Sequence, residues 1–358
     1  MEVLRRIDRE QFHMDYQTMS SRGFEGEIEE LGSKIFLGPS NREPVAFGRS
    51  LRRLIHDEGP YDIIHGHRQQ FNGYVLRRAK DFGVPVRIAH SHATGLQGDR
   101  VGPFRRIYNA YMASLMARYA TGGLAASEVA AQGVFGNAWR ANPRWKILHY
   151  GVDLEPFQAE VDRAAVRSEL GIPDGRFVLG NVGRFSLQKN HSFLIDIFAE
   201  VVRRDPNVSL LLVGDGPTNA AIRKKVDDNG LTDHVVFAGY SSNVPRLMLG
   251  AMDVFVMPSL FEGLPISLIE AQAAALPCVV SGEISREVSA PQDMVQFISL
   301  ESPPSTWAEA ILSTRDLSKK VDRSKILELM KESSFNIWNC VSTLERFYLE
   351  CHERVTHE

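Results

Sequence analysis

Two carboxylates stand eight positions apart, Glu262 and Glu270, in the segment PSLFEGLPISLIEAQAAALP, and two cations, Arg184 and Lys189, stand in VGRFSLQKN. A carboxylate accepts two hydrogen bonds at once and so suits a pair of sugar hydroxyls. Two cations close together suit a diphosphate. Each pair also has a plainer reading: Glu262 as a complement to a helix dipole, Glu270 on a solvated face, Arg184 and Lys189 as loop charges in water. The order of elements around them favours the chemical reading. The strand-like run DVFVMP leads into a loop with Glu262, Gly263 and Leu264, and a helix pattern opens at about Pro265. The run FVLGNV ends at Gly183, then come Arg184 and Lys189, with Asn190 available to cap the following helix. At the carboxyl edge of a parallel sheet, the unpaired amides of Gly263, Leu264 and the first helical turn face the ligand crevice and can bind phosphate. Proline suits that first turn, because its missing donor would be unpaired anyway.

Three further motifs invite other chemistry. GDGPTNA (214–220) starts like a dinucleotide fingerprint at Gly214, but Asn219 replaces its third glycine, and the next strand ends in Phe237, Ala238 and Gly239 with no acid for a ribose. A nicotinamide dehydrogenase is therefore not expected. His65 and His67 in HGH, and His90 and His92 in HSH, each share a strand face, so either pair could chelate a metal. No carboxylate or cysteine completes a recognisable spacing, so the expectation is no bound metal and a histidine lining a cleft between domains. Phe104, Ile107, Tyr108, Tyr111, Met112, Leu115, Met116 and Tyr119 recur at helical spacing, flanked by Arg100, Arg105, Arg106 and Arg118. That helix is expected to pack into a core, with membrane or acceptor contact as the alternative.

These residues need a large scaffold to hold them. A chain of 358 residues is long for one core and comfortable for two, and 44% hydrophobic with 24% charged residues describes an ordinary globular composition. Runs 177–182, 208–214, 235–239, 253–258 and 277–281 read as buried strands alternating with helices, the signature of βαβ units. FHMDYQTM, DIIHGH, VPVRIAHS, GGLAAS and KILHYG repeat the scheme in the first half. The boundary is expected at 160–172, where glycine and proline punctuate the chain. Cys278, Cys340 and Cys351 are too scattered for a disulfide framework or zinc spacing, which with no apolar leader points to a cytoplasmic protein. Residues 1–150 hold 21 basic against 15 acidic residues, and the remainder 20 against 29. The basic half is expected to face something anionic, a membrane or phospholipid-linked substrate; without a stacking-aromatic basic stripe, nucleic acid is not the expected partner.

VGRFSLQKN, LVGDGP, FAGY and above all PSLFEGLPISLIEAQAAALPCVVS together resemble the family 4 retaining glycosyltransferases of the GT-B type, nearest the bacterial capsular and exopolysaccharide enzymes. The resemblance covers almost the whole chain. It implies an α/β fold of two Rossmann-like, doubly wound parallel-sheet domains with the donor site in the interdomain cleft. The N-terminal acceptor domain is expected over 1–165 and the nucleotide-sugar domain over 166–335, with a helix at 336–358 crossing back. By the same resemblance Arg184 and Lys189 hold the diphosphate, Glu262 contacts the donor sugar and Glu270 the ribose. Amides of Gly263 to Pro265 approach sugar and phosphates, Gly183 and Gly214 border them, and the segment of Gly239 and Tyr240 lies beside the base. One of His90 and His92 matches the cleft histidine near the donor sugar, with His92 favoured. The implied reaction is metal-independent and needs no cofactor: transfer from a nucleotide sugar, a UDP-sugar by family frequency, to a glycan or lipid-linked acceptor in polysaccharide biosynthesis.

Other readings of the same architecture are a non-catalytic sugar-nucleotide-binding protein, a nucleotide-sugar epimerase and a histidine-ligated metallohydrolase. Two departures from the family pattern stand out. Ala275 replaces a common glycine before Leu-Pro, which is expected to affect packing at the helix end. The chain also opens at MEVLRRIDREQF, within what the pattern makes the first helix, so a first strand and glycine-rich loop are expected 15 to 20 residues upstream, about the length of one strand and loop.

Overall fold

The computed structural model describes residues 1–20, 23–92, 102–137, 139–289, 294–318 and 321–357. It divides into two compact units, Met1–Gly151 with Ile337–Glu358, and Val152–Asn336. Among the described residues no helix is long and apolar enough to cross a membrane.

The first unit runs α1 (Glu2–Arg6), β1 (Tyr16–Thr18), α2 (Glu25–Glu30), β2 (Ile35–Leu37), α3 (Pro44–Glu58), β3 (Ile63–Gly66), α4 (Asn72–Asp81), β4 (Val86–Ser91), α5 (Pro103–Tyr119), β5 (Gly122–Ala125), α6 (Glu128–Phe135) and β6 (Trp145–Ile147). Strands β3, β4, β5 and β6 pair in that order and in parallel, and β1 pairs with β2 as a separate parallel ribbon. Of FHMDYQTM only three residues form a strand, and β2 is a strand the hydrophobic pattern does not announce, because three residues leave too little periodicity to read. Helix α5 corrects the expectation of a core-packed helix over its whole length. Met112, Leu115 and Met116 are buried, whereas Phe104, Ile107 and Tyr111 are exposed. The Met112 carbonyl lies so close to Gly73 that a β-carbon there would approach it to 2.2 Å, which shows how tightly the C-terminal half of α5 seats on α4. Arg100 lies outside the described residues.

The second unit runs α7 (Arg163–Glu169), β7 (Phe177–Val182), α8 (His191–Arg204), β8 (Val208–Val213), α9 (Asn219–Asp228), β9 (Val235–Gly239), α10 (Val244–Ala251), β10 (Val254–Met257), α11 (Ile266–Ala273), β11 (Cys278–Ser281), β12 (Val295–Ile298), α12 (Pro304–Ser318) and α13 (Arg323–Glu332). Its six strands form one parallel sheet in the order β12-β11-β10-β7-β8-β9. Strands β7, β8, β10 and β11 are almost continuously buried and apolar, as strands covered by helices on both faces must be. β12, an edge strand with exposed Gln296, carries no such run and is not foreseen in the sequence.

The last helix, α14 (Ile337–Thr356), belongs to the first unit. Its stripe of Ile337, Cys340, Val341, Leu344, Phe347 and Cys351 recurs at helical spacing and joins the core of Val86, Ile88, Leu124 and Leu148. The chain leaves the first unit at Gly151, not near 165. Residues 152–162 are anchored to the second unit: the Val152 amide donates to the Phe335 carbonyl at 2.7 Å, Phe157 is buried, and Arg323 donates to the carbonyls of Phe157 and Ala159. Helix α7 follows suit, with Arg163 and Arg167 both paired to Asp253 at 2.6 and 2.7 Å. Glycine and proline spacing marks turns here, but long-range ion pairs decide which body owns the segment.

Candidate functional site

In the second unit β7 lies between β10 and β8, so the chain order reverses at the β7–β10 pair. Ligands of doubly wound sheets bind outside the carboxyl ends of the strands at such a switch point. The loops that leave β7 and β10 there are the two that carry the candidate cations and Glu262. They are stitched together: the Leu260 amide donates to the Gln188 carbonyl at 2.8 Å, and Gln188 Nε2 donates to the Phe261 carbonyl at 3.0 Å and to Glu262 Oε2 at 3.3 Å. Lys189 Nζ stands 2.8 Å from Glu262 Oε1. Glu262 is buried, at 7% exposure, and Lys189 is largely covered, so the pair is mostly withdrawn from solvent. Arg184 is exposed beside it in sequence.

Asn190 departs from its expected role. It occupies the cap position of α8 in the left-handed region, at φ 54°, but makes no side-chain cap; its Nδ2 instead donates to the Pro258 carbonyl at 3.1 Å, a third tie between the loops. Gln188 and Asn190 are thus site-building residues that a search for charged groups passes over. Two more bonds join the loop after β7 to the one after β8: Phe185 amide to Asp215 carbonyl at 3.0 Å, and Thr218 amide to Phe185 carbonyl at 3.2 Å. Gly214, at φ 129°, has no room for a side chain, since a β-carbon there would lie 2.1 Å from the Gly183 carbonyl. The glycines of GDG therefore serve loop-to-loop packing. The Gly214 amide donates to the Gly239 carbonyl at 2.7 Å, which ties the β9 end, and with it exposed Tyr240, to the same edge.

Helix α11 opens just after Pro265, so its first amides have no intrahelical acceptor. Leu264 and Pro265 are buried and hold this turn in place, with Gly263 partly exposed in front of it. Glu270 sits just over one turn along the helix, half-buried, and burial raises its carboxyl to about 7. At its other end α11 closes in a Schellman motif, with the Leu276 amide on the Ala271 carbonyl at 3.0 Å and the Ala275 amide on Gln272 at 2.9 Å. Ala275 takes the left-handed conformation at φ 58°. The departure from glycine is thus backbone strain, not a packing change. His191, in the first turn of α8, is another residue not foreseen: its ring is buried against Phe185, at 4.3 Å between centroids, and burial pushes it down to about 4.

In the first unit the two histidine pairs come together on β3 and β4. His65 Nε2 is 3.1 Å from His90 Nδ1, and His67 Nδ1 is 2.7 Å from His92 Nε2. Two tyrosines close the ends: Tyr348 Oη lies 2.6 Å from His65 Nδ1 and Tyr150 Oη 2.5 Å from His92 Nδ1. His90 is buried whereas His92 is partly exposed, so of the two only His92 keeps surface that a sugar could touch. Burial pushes His92 down to about 4 and holds His65 and His90 well below the usual histidine range, so all three rings are neutral at pH 7.

Residues 162–314 match the family described as glycosyl transferases group 1, and residues 2–156 match glycosyltransferase family 4. EpsF of Bacillus subtilis, which is named as a glycosyltransferase, is 35% identical over 326 residues, covering 87% of this chain and 82% of its own length. The UDP-Gal:α-D-GlcNAc-diphosphoundecaprenol α-1,3-galactosyltransferase of Escherichia coli is 24% identical, over 84% of this chain and 78% of its own. Among solved structures, Anabaena HepE in complex with UDP superposes with a TM-score of 0.78 at 18% identity, covering 94% of this chain and 92% of its own. A parallel sheet whose switch point gathers a buried Lys-Glu pair and a helix N-terminus, together with these matches along both halves, makes the chain an enzyme of the family 4 glycosyltransferases, with the two Rossmann-like domains of the GT-B fold.

Proposed function

We propose that the enzyme is a retaining glycosyltransferase that moves a sugar from a UDP-sugar to a glycan or lipid-linked hydroxyl in polysaccharide biosynthesis. The observation that carries this reading is the buried Lys189–Glu262 pair at the β7–β10 switch point. Charge grows on the diphosphate as the glycosidic bond breaks, so Arg184, Lys189 and the α11 N-terminus stabilise the transition state more than the ground state. In this reading Lys189 turns from Glu262 to the diphosphate, which frees Glu262 to accept from the donor sugar's hydroxyls. Glu270 accepts from the ribose, Tyr240 lies beside the base, and His92 contacts the donor sugar. UDP as the nucleotude base carrier is supported by the HepE complex and by the UDP-galactose donor in the name of the E. coli relative.

The test is thermal stabilisation by UDP, GDP, ADP and dTDP, since a ligand at 100 times its dissociation constant adds roughly 2.7 kcal/mol. Stabilisation by UDP, followed by an α-linked product from an α-linked donor with EDTA present, is the expected outcome. Stabilisation by GDP alone, an inverted product, or activity restored only by Mg²⁺ or Mn²⁺ overturns the corresponding part of the reading. The exposed Phe104, Ile107 and Tyr111 of α5, beside Arg105 and Arg106, favour a peripheral membrane contact for reaching a lipid-linked acceptor.

A further inference from the structure

Of the four clustered histidines of the first unit, the proposed donor chemistry draws on His92 and leaves His65, His67 and His90 without a role. β3 and β4 pair with His65 opposite Ile88 and Gly66 opposite Ala89, so both HxH pairs project from one face of the sheet. Neighbouring rings lie 4.2 to 5.1 Å apart between centroids. One nitrogen from each of His65, His67 and His90 falls within 4.8 Å of the others, and His90 Nε2 is buried with no hydrogen-bond partner. The three imidazoles supply a donor set that the spacing along the sequence does not reveal, because its members come from two strands.

We propose that His65, His67 and His90 form a site for a zinc-like transition-metal ion, with its fourth position open to water. Imidazole nitrogens about 2.0–2.1 Å from a tetrahedral zinc stand about 3.3 Å from one another, and His65 Nε2 and His90 Nδ1 already lie at 3.1 Å. The remaining closure falls to His67, the outermost of the three. Tyr348 Oη beside His65 Nδ1 orients that ring from behind, as the outer partners of metal-bound histidines do. An all-imidazole set takes Zn²⁺, Cu²⁺ or Ni²⁺ in preference to Mg²⁺ or Ca²⁺.

Calorimetric titration of the untagged protein with zinc chloride at pH 7 tests the site, with circular dichroism on every variant. One equivalent is expected to bind, with an affinity lowered by about 100-fold or more in His67→Asn and in His90→Asn, and by about 10-fold in Tyr348→Phe. Magnesium chloride is expected to give no saturable heat, and cobalt the visible absorption of a tetrahedral site. Absence of saturable zinc binding, or equal affinity in wild type and His67→Asn, overturns the proposal. His67 is at the surface, so that variant decides the matter even if His90→Asn does not fold. UDP stabilisation, which belongs to the other unit, is expected to survive each variant.

Discussion

The Lys189–Glu262 pair separates binding chemistry from stability in a way substitutions can resolve. Lys189→Met leaves a buried carboxylate without its cation, and losing one partner of a buried pair costs up to about 3–5 kcal/mol. The Lys189→Met, Glu262→Leu double variant removes both charges and is expected to recover most of that stability in denaturant titration, because apolar replacements of buried pairs are often neutral. Transfer is not expected to recover. Loss of one transition-state donor lowers turnover by about 10² to 10³. A double variant that regains activity with stability shows the pair to be structural only. Glu270 gives a pH signature. Its folded carboxyl titrates near 7, above the unfolded value, so it contributes stability that is complete at acid pH and lost as pH rises through about 7. Glu270→Gln is expected to flatten that decline in melting temperature. In the proposed role the Glu270 carboxylate accepts from the ribose, so UDP affinity is expected to rise between pH 6 and 8 in wild type and to stay level in Glu270→Gln. Identical pH profiles remove Glu270 from the ribose.

At the scale of the element, α11 shows both what a sequence tells and what it hides. Its start is legible: strand, loop, Gly-Leu-Pro and helix follow in an order that fixes the amides of the first turn. Its end carries the left-handed Ala275, a conformation that costs an L-residue roughly 1–2 kcal/mol, offset in part by the greater freedom glycine has when unfolded. Ala275→Gly is therefore expected to stabilise the protein by about 0.5–1 kcal/mol, read as a higher denaturant midpoint with an unchanged slope. A lower midpoint means that the Schellman turn is not strained. The same contrast runs through the other elements. β7 at 177–182 matches its hydrophobic run residue for residue, because a parallel strand covered on both faces is almost wholly apolar, and β9 at 235–239 does so too although it is a partly exposed edge strand. β2 and β12 are short or half-exposed and leave no such run. Arg184, Lys189 and Glu262 are visible as charges at predicted strand ends, and Glu270 as a charge in the helix that follows. Gln188, Asn190 and Tyr150 are not, because each matters through a partner 58 to 74 positions away, and one sequence carries no record of such pairings.

For the whole molecule, the charge division narrows but persists once the two units replace the two halves. The first unit holds 23 basic against 19 acidic residues and the second 18 against 25, so residues 337–358, with 2 basic against 4 acidic residues, dilute the basic excess without removing it. What remains basic is concentrated on α5, where Arg105, Arg106 and Arg118 have no acidic neighbour within the helix. Phe104 is 86% exposed and Ile107 68%, on the turn that carries the first two arginines. Near an anionic bilayer each cation is worth about 1 kcal/mol and fades within a Debye length, whereas the buried apolar rings are insensitive to salt. The two contributions can be told apart. The enzyme is expected to sediment with vesicles containing anionic lipid, less so with neutral ones, and to be partly released by salt. Phe104→Ser with Ile107→Ser is expected to remove the salt-resistant fraction, and Arg105→Gln with Arg106→Gln the salt-sensitive one, with UDP stabilisation intact in both because α5 and the donor loops belong to different units. Equal recovery of wild type and both double variants on vesicles leaves α5 with no membrane role, and the proposal of a lipid-linked acceptor then loses its structural support in the exposed apolar turn of α5.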